Sequence, residues 1–278
     1  MIERKAKRHA KAAVFAAAHA KYWEQFDGLY EKMMGYHSEL LALVRENDIE
    51  VIDFGIIDSS EKSYAAADKI NAANPDLIIC NMVTYATSSV FAPIMRSANA
   101  PVILTALQPL SKLDYSKAST FMQLENDNIC SVPEFTGVAV RLGKKVNDVI
   151  LGRLYDDNEV KSEIKEWCDI AKVLNSLKSA RIGLMGHVME AMYDMHADPT
   201  AISAAFGLHV PLLEIDDVTE LYDTVTNEEI QKKISLIDSE FDMPEPQSDP
   251  VTSKLTDDDK YQAAKTAAAL DKLVERYN

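Results

Sequence analysis

The chain has 278 residues, 47% apolar and 26% charged, which is the balance of a globular protein long enough for two ordinary domains. Its 44 acidic residues outnumber 29 basic ones, for a net charge of −15. The summed field of such a surface repels phosphate backbones and anionic membranes, which argues against nucleic acid and membrane partners. The basic start (Arg4, Lys5, Lys7, Arg8, Lys11) precedes an apolar stretch, Ala12 to Ala18. That stretch is far short of the roughly 20 residues a bilayer requires, and it fits a first buried strand better than a signal peptide, so the expected location is the cytoplasm. Three cysteines, Cys80, Cys130 and Cys168, stand far apart with no CxxC pair, as expected of free thiols in a reducing compartment.

Short apolar runs alternate with longer amphipathic segments, the rhythm of parallel βαβ units. Strands are expected near Ala12–Ala17, Glu50–Phe54, Asp76–Cys80 and Pro101–Ala106, with a further one at Val149–Gly152. Helices are expected over Phe26–Asn47, Ser60–Ala73, Ser88–Ala98 and Val132–Gly143. The segment Asn158–Ser179 reads as a long helix running between two domains, with Ile164, Trp167, Ile170, Ala171 and Leu174 on one face. Beyond it come a strand at Arg181–Gly186, a helix at Pro199–Phe206, a strand at His209–Leu213, and helices at Asp216–Val225 and Asn227–Ser239. Pro244, Pro246 and Pro250 mark an exposed linker, and Ala263, Ala267, Leu270, Leu273 and Val274 give the last helix, Thr256–Tyr277, an apolar face. The fold class is therefore α/β: two Rossmann-like layered domains with mainly parallel sheets, residues 1–178 and 179–278. The second is expected to be incomplete, because a helix that packs on a sheet normally returns to a strand.

In open α/β sheets ligands bind beyond the carboxyl ends of the strands, so the segments that follow each strand are the first candidates. Tyr22, Trp23, Gln25 and Phe26 follow the first strand and mix aromatic platforms with hydrogen-bonding groups, as sugar faces and hydroxyls require; chance clustering is the alternative. Thr84 and Tyr85 lie in a hydroxyl-rich turn after the third strand, where capping by Thr87 or Ser88 explains the composition equally. Gln108 ends the fourth strand, and Asn128, Cys130 and Glu134 lie in a polar stretch denser than turns demand. Cys130 precedes a helix N-terminus whose dipole would lower its pKa. His187, Met189 and Glu190, with Asp194, His196 and Asp198 after them, follow a strand in the second half. No His-x3-His or Glu-x-x-His spacing sets these on one helical face, which favours a substrate-facing loop over a metal site. Neither GxSxG, GxxxxGK[ST] nor GxGxxG occurs, and nine glycines are too few for phosphate cradles.

The strings Tyr22-Trp-Glu-Gln-Phe, Thr84-Tyr-Ala-Thr-Ser-Ser, Leu107-Gln-Pro with Leu113-Asp-Tyr, Cys130-Ser-Val-Pro-Glu and Gly186-His-Val-Met-Glu-Ala-Met-Tyr-Asp occur in this order. Together they resemble the L-arabinose isomerase family, most closely its branch grouped with L-fucose isomerases. The resemblance implies an N-terminal and a central α/β domain, with a C-terminal domain absent from this sequence. It also implies trimers or hexamers whose sites lie between subunits, and interconversion of an aldose and a ketose through an enediol with a divalent metal, usually Mn²⁺. The metal ligands and the base would lie downstream, so this chain would hold no metal itself and be inactive alone. Tyr22 to Phe26, Gln108, the surroundings of Cys130, and Met189 would line the sugar pocket. Cys130 stands where the family places a His, a departure that bears on sugar specificity. The competing readings are a sugar-binding or regulatory module without catalysis, and a two-thiol racemase, which would need a cysteine facing Cys80 or Cys130 from the second domain.

Overall fold

The computed structural model describes residues 9–186, 190–242 and 250–277. They divide into two compact units, one ending at Ser176 and one beginning at Leu177. In the first unit five parallel strands, β1 (Lys11–Ala17), β2 (Glu50–Ile57), β3 (Leu77–Met82), β4 (Val102–Gln108) and β5 (Asp148–Arg153), form one sheet in the order β2-β1-β3-β4-β5. The α/β reading of the sequence holds, and the strands reach two or three residues past several of their expected ends.

The alternation of side chains along β1 explains the layering. Ala13, Phe15 and Ala17 point to one face, where α3 (Ser60–Ala73), α4 (Ala92–Ser97) and α6 (Val132–Arg141) supply Ala66, Ile70, Ile94, Phe135 and Ala139. Ala12 and Val14 point to the other, covered by Leu40, Leu41 and Val44 of α2 (Leu29–Arg45) and by Val160, Ile164, Cys168 and Ala171 of α7 (Asn158–Leu177). A parallel sheet buried on both faces has apolar rather than alternating strands, as β3 and β4 show. The helix α7, expected to run between two domains, packs along this sheet, and its buried stripe is Val160, Ile164, Cys168 and Ala171, with Trp167, Ile170 and Leu174 only half-buried.

Local chemistry accounts for the other departures. Helix α2 starts at Leu29 rather than Phe26 because Gly28, at φ 80°, takes the left-handed conformation just before it. The expected helix over Ser88–Ala98 is a 3₁₀ turn, Ser88–Val90, followed by α4, since Pro93 has no N–H to continue the ladder. Two short helices, α1 (Lys21–Gln25) and α5 (Thr120–Glu125), have too few turns to show a period in sequence.

One polar seam crosses the α2 side of the sheet. His37 on α2 is fully buried; its Nε2 lies 2.9 Å from Asp53 Oδ1, and Asn81 Nδ2 lies 3.3 Å from its Nδ1. Thr105 Oγ1 donates to Asn81 Oδ1 at 3.2 Å, so the Asn81 amide nitrogen faces His37, Nδ1 is an acceptor, and Nε2–H donates to Asp53. Asp53 also accepts from Gly55 N at 2.7 Å, inside a β-bulge where the pairing moves from Val14↔Asp53 to Ala16↔Ile56 and Gly55 takes φ 65°.

The second unit holds a two-stranded parallel sheet, β6 (Leu184–Met185) and β7 (Leu212–Leu213), with α8 (Pro199–Phe206), α9 (Ile215–Tyr222), α10 (Asn227–Glu240) and α11 (Asp257–Tyr277). The expected strands are longer than the paired ones; outside β6 and β7 the pairing is a bridge between Arg181 and His209. Asp198 caps α8 through Thr200 N at 2.8 Å, and Pro199 takes the first turn. The buried face of α11 is Ala264, Ala268, Ala269 and Leu273, one step round the helix from the expected stripe, and Leu270 and Val274 are exposed. The helix docks by ion pairs as well: Lys233 to Asp271 at 2.6 Å and Arg276 to Glu220 at 3.0 Å. Among the described residues no helix is long and apolar enough to cross a membrane.

Burial chiefly lowers the His37 pKa, outweighing the opposite pull of Asp53. Below the unfolded value of about 6.5 the unfolded chain binds a proton that the folded one refuses, so stability falls as pH drops. The urea midpoint should decline between pH 7.5 and 5.5, and His37→Gln should flatten that decline; equal slopes in the two proteins would refute the assignment. Phe135 stacks on Phe91 with centroids 4.8 Å apart, both fully buried. Phe135→Ala should cost about 3–5 kcal/mol in a denaturant titration.

Candidate functional site

The strand order reverses direction between β1 and β3, so the crevice beyond their carboxyl ends is where an open α/β sheet admits a ligand. Three segments meet there. After β1, Ala18 N and Ala20 N remain bonded to Ile57 O and Asp58 O at 3.2 Å, which carries the chain past the sheet before α1 turns. The rings in and around α1 then pack edge to face: His19 with Tyr22 at 5.3 Å and Tyr22 with Phe26 at 6.4 Å, while Phe26 meets Phe121 of α5 at 6.5 Å.

The second segment follows β3 and the third is the turn between α5 and α6. Three hydrogen bonds bracket them together. Asn128 Nδ2 donates to Met82 O at 2.8 Å, Ala86 N donates to Ser131 Oγ at 3.0 Å, and Ser88 N donates to Glu134 Oε1 at 2.7 Å. The turn is held from behind by Glu125, nearly fully buried, which accepts from Tyr36 Oη at 2.9 Å and pairs with Lys32. Gln108 closes it from β4, donating to Asn126 O at 2.8 Å.

The Tyr85 hydroxyl, the Asp127 carboxylate and the Cys130 thiol act electrostatically on the Tyr22 hydroxyl. Burial pushes the Tyr22 hydroxyl up, and the nearby Tyr85, Asp127 and Cys130 add to it. Burial also raises Asp127, against a hydrogen bond from Cys130. The Cys130 thiol is pushed up, first by the charge of Asp127 and then by burial, the Asp127 hydrogen bond and Glu134. The carboxylates of Asp127 and Glu134 thus oppose the lowering expected from the helix dipole.

Of the residues singled out in sequence, Tyr22, Phe26, Tyr85, Asn128, Cys130 and Glu134 come together here. Thr84 sits inside the bracket, buried, with no partner for its hydroxyl. Trp23 turns aside, its indole N–H donating to Asp58 Oδ2 at 2.9 Å, and Gln25 is exposed. Glu134 is engaged in capping the 3₁₀ turn, the task expected of Thr87 or Ser88; Thr87 Oγ1 bonds Ser89 Oγ instead, at 2.9 Å. Glu190 is exposed in the second unit, while His187 and Met189 lie outside the described residues. Asp127 was passed over in sequence although its neighbour Asn128 was singled out, because only the direction of the turn sets their side chains apart. A cavity of about 410 Å³ runs along α7, lined there by Lys165, Ile170 and Val173, and none of its lining residues is at the strand ends.

The metal implied by the sequence resemblance does not fit this donor set: among the described residues no three His, Cys, Asp or Glu side chains gather as a metal site. Chemically the cluster offers aromatic faces together with hydroxyl, thiol and carboxylate groups that both donate and accept hydrogen bonds.

Comparison with known proteins agrees with the resemblance to L-arabinose isomerases. The L-arabinose isomerase of Cellvibrio japonicus is 22% identical over 226 residues, 80% of this chain and 43% of that one. The chain is similar to L-arabinose isomerases. That of Bacillus subtilis is 22% identical over 153 residues, 55% of this chain and 30% of that enzyme. L-arabinose isomerase 2 of Bacillus licheniformis is 30% identical over 112 residues, 40% of this chain and 23% of that enzyme. The chain thus spans less than half the length of these curated relatives. No protein-family model matches it. Among solved structures, the type II dehydroquinase from Propionibacterium acnes aligns at a TM-score of 0.29 with 13% identity, covering 57% of this chain and 96% of that one, too loose to carry an argument.

Cys130 is exposed while Cys80 and Cys168 are buried, so a thiol reagent should label Cys130 first in the native protein. Asp127→Asn should speed that labelling several-fold at pH 7.5, because the thiolate fraction rises when the neighbouring charge goes. An unchanged rate by timed mass spectrometry would separate the two side chains.

Proposed function

We propose that this chain forms the sugar-facing wall of a cytoplasmic aldose–ketose isomerase of the L-arabinose/L-fucose isomerase type, working in a homo-oligomer, a trimer or hexamer. The similarity over 226 residues to an L-arabinose isomerase carries this reading. It covers 80% of the chain, enough to include residues 84–134 wherever it begins. The cluster supports it independently: the rings of Tyr22, Phe26 and Tyr85 suit the apolar face of a sugar, and Asp127 suits its hydroxyls.

In this reading the wall binds and orients. Phe26 and Phe121 exclude water from one side, Glu125 with Tyr36 and Lys32 holds the turn rigid, and Asp127 accepts from ligand hydroxyls. The metal, expected as Mn²⁺, and the catalytic base are assigned to none of the described residues.

The test is a calorimetric or NMR titration of the chain with L-arabinose, L-ribulose and L-fucose. Saturable binding of at least one is expected, weakened about tenfold or more by Tyr22→Ala or Phe26→Ala in protein that melts normally. Absence of saturable binding for every aldose and ketose tried would sink the reading.

A further inference from the structure

The sheet ends at β5, which pairs with β4 alone, so one side of its backbone faces away from the sheet. Which amides lie on that side follows from the ladder. Leu154 N donates to Gln108 O at 2.9 Å, and successive amides of a strand alternate sides, so those of Val149, Leu151 and Arg153 point outward. Carboxylates already hold two of them. Val149 N donates to Asp148 Oδ1 at 2.8 Å, and Arg153 N donates to Asp157 Oδ2 at 3.0 Å. Both carboxylates are fixed in turn by α7: Trp167 Nε1 donates to Asp148 Oδ2 at 2.7 Å, while Asp157 Oδ1 accepts from Glu159 N at 3.2 Å and Val160 N at 3.3 Å. Gly152 permits the approach, since a Cβ there would collide with Val160 Cγ2 and stand 2.9 Å from Asp157 Oδ2. For Leu151 N no acceptor stands among the described residues, and its apolar side chain is 51% exposed. The strand at the opposite edge, β2, is bent by its bulge, another way in which an edge is blunted.

We propose that Asp148 and Asp157 close this edge to strand addition, and that the strand they exclude is β5 of a second copy of this chain. An unguarded edge strand is a template for pairing with another chain. About a two-fold axis through Leu151, antiparallel β5 strands set Leu151 against Leu151 of the second copy and Val149 against Arg153 of the second copy, so outward residues meet outward residues throughout. The register is self-complementary, which no unrelated strand guarantees. In it the Val149 and Arg153 amides would donate to the carbonyls of Arg153 and Val149 of the second copy. With both amides held by carboxylates, the Leu151 amides alone are left to bond, too few to join two strands. The homo-oligomer proposed above then assembles through other surfaces.

The first test is amide hydrogen exchange of the wild-type chain, read by NMR. After correction for neighbouring side chains, the Leu151 amide should exchange about tenfold or more faster than those of Val149 and Arg153. Equal or slower exchange at Leu151 would mean that the edge is already covered, and would overturn the proposal without any variant having to fold. The second test is sedimentation of Asp148→Ala, Asp148→Asn and the double variant Asp148→Ala with Leu151→Pro, each beside the wild type. Asp148→Ala should form a concentration-dependent species heavier than the wild type. Asp148→Asn, which keeps a side-chain acceptor, should sediment as the wild type does. Proline should remove the gain, because it lacks the central outward amide and is tolerated on an edge strand. Asp148→Ala that melts normally and keeps the wild-type mass, or association that appears equally in Asp148→Asn or survives the proline, would also overturn the proposal.

Discussion

The close approach of helices to both faces of β1 is the constraint on which the first unit rests. Apart from Lys11, Val14 and Phe15, every residue of β1 is alanine: Ala12, Ala13, Ala16 and Ala17, all fully buried. Small side chains in this inner strand let α2 and α7 on one side, and α3, α4 and α6 on the other, reach the sheet. The larger residues that fill the space, Leu40, Ile70, Ile94 and Phe135, come from the helices. A larger residue at Ala13 or Ala16 would push a whole layer outward, because interiors at crystal-like density have little slack.

The strand-end cluster follows from that arrangement. With β1 and β3 adjacent and parallel, their exits open on the same side, and the segments that leave them must diverge around whatever occupies the space between. The turn between α5 and α6 is brought there by side-chain bonds rather than by a sheet ladder, which lets its residues be polar without loss of structure. Its position depends on Asn128, Ser131 and Glu134, each of which holds a different part of the chain that follows β3.

The strands and the longer helices were legible in sequence because continuous apolar runs and helical periodicity report burial directly. What was hidden depends on contacts from distant parts of the chain. Helix α5 is capped by Ser119 and pinned by Tyr36, 89 positions from Glu125, and nothing in Thr120–Glu125 alone reveals that. The stripe of α11 was misjudged by one step because alanines surround it, so the sequence offers several apolar arcs of similar strength. In the candidate site, Tyr22, Tyr85, Asn128 and Cys130 were singled out from their places after strands. The role of Glu134 as a cap and the weight of Asp127 were not, since both are set by the direction in which a loop turns.

The polar seam from Asp53 through His37 and Asn81 to Thr105 has a further consequence for assembly of the sheet. Strands such as β3 and β4, apolar along most of their length, present near-identical rows of isoleucine and leucine that would pack almost as well if shifted along one another. Asn81 lies opposite Thr105, and in that alignment the Thr105 hydroxyl donates to Asn81 Oδ1 while Asn81 Nδ2 donates to His37 Nδ1. A slipped pairing would leave the Thr105 hydroxyl and the Asn81 side-chain oxygen buried without each other, each at about 1–3 kcal/mol. The seam thus acts as a check on strand alignment, admitting one arrangement from a set that hydrophobicity alone would leave nearly degenerate.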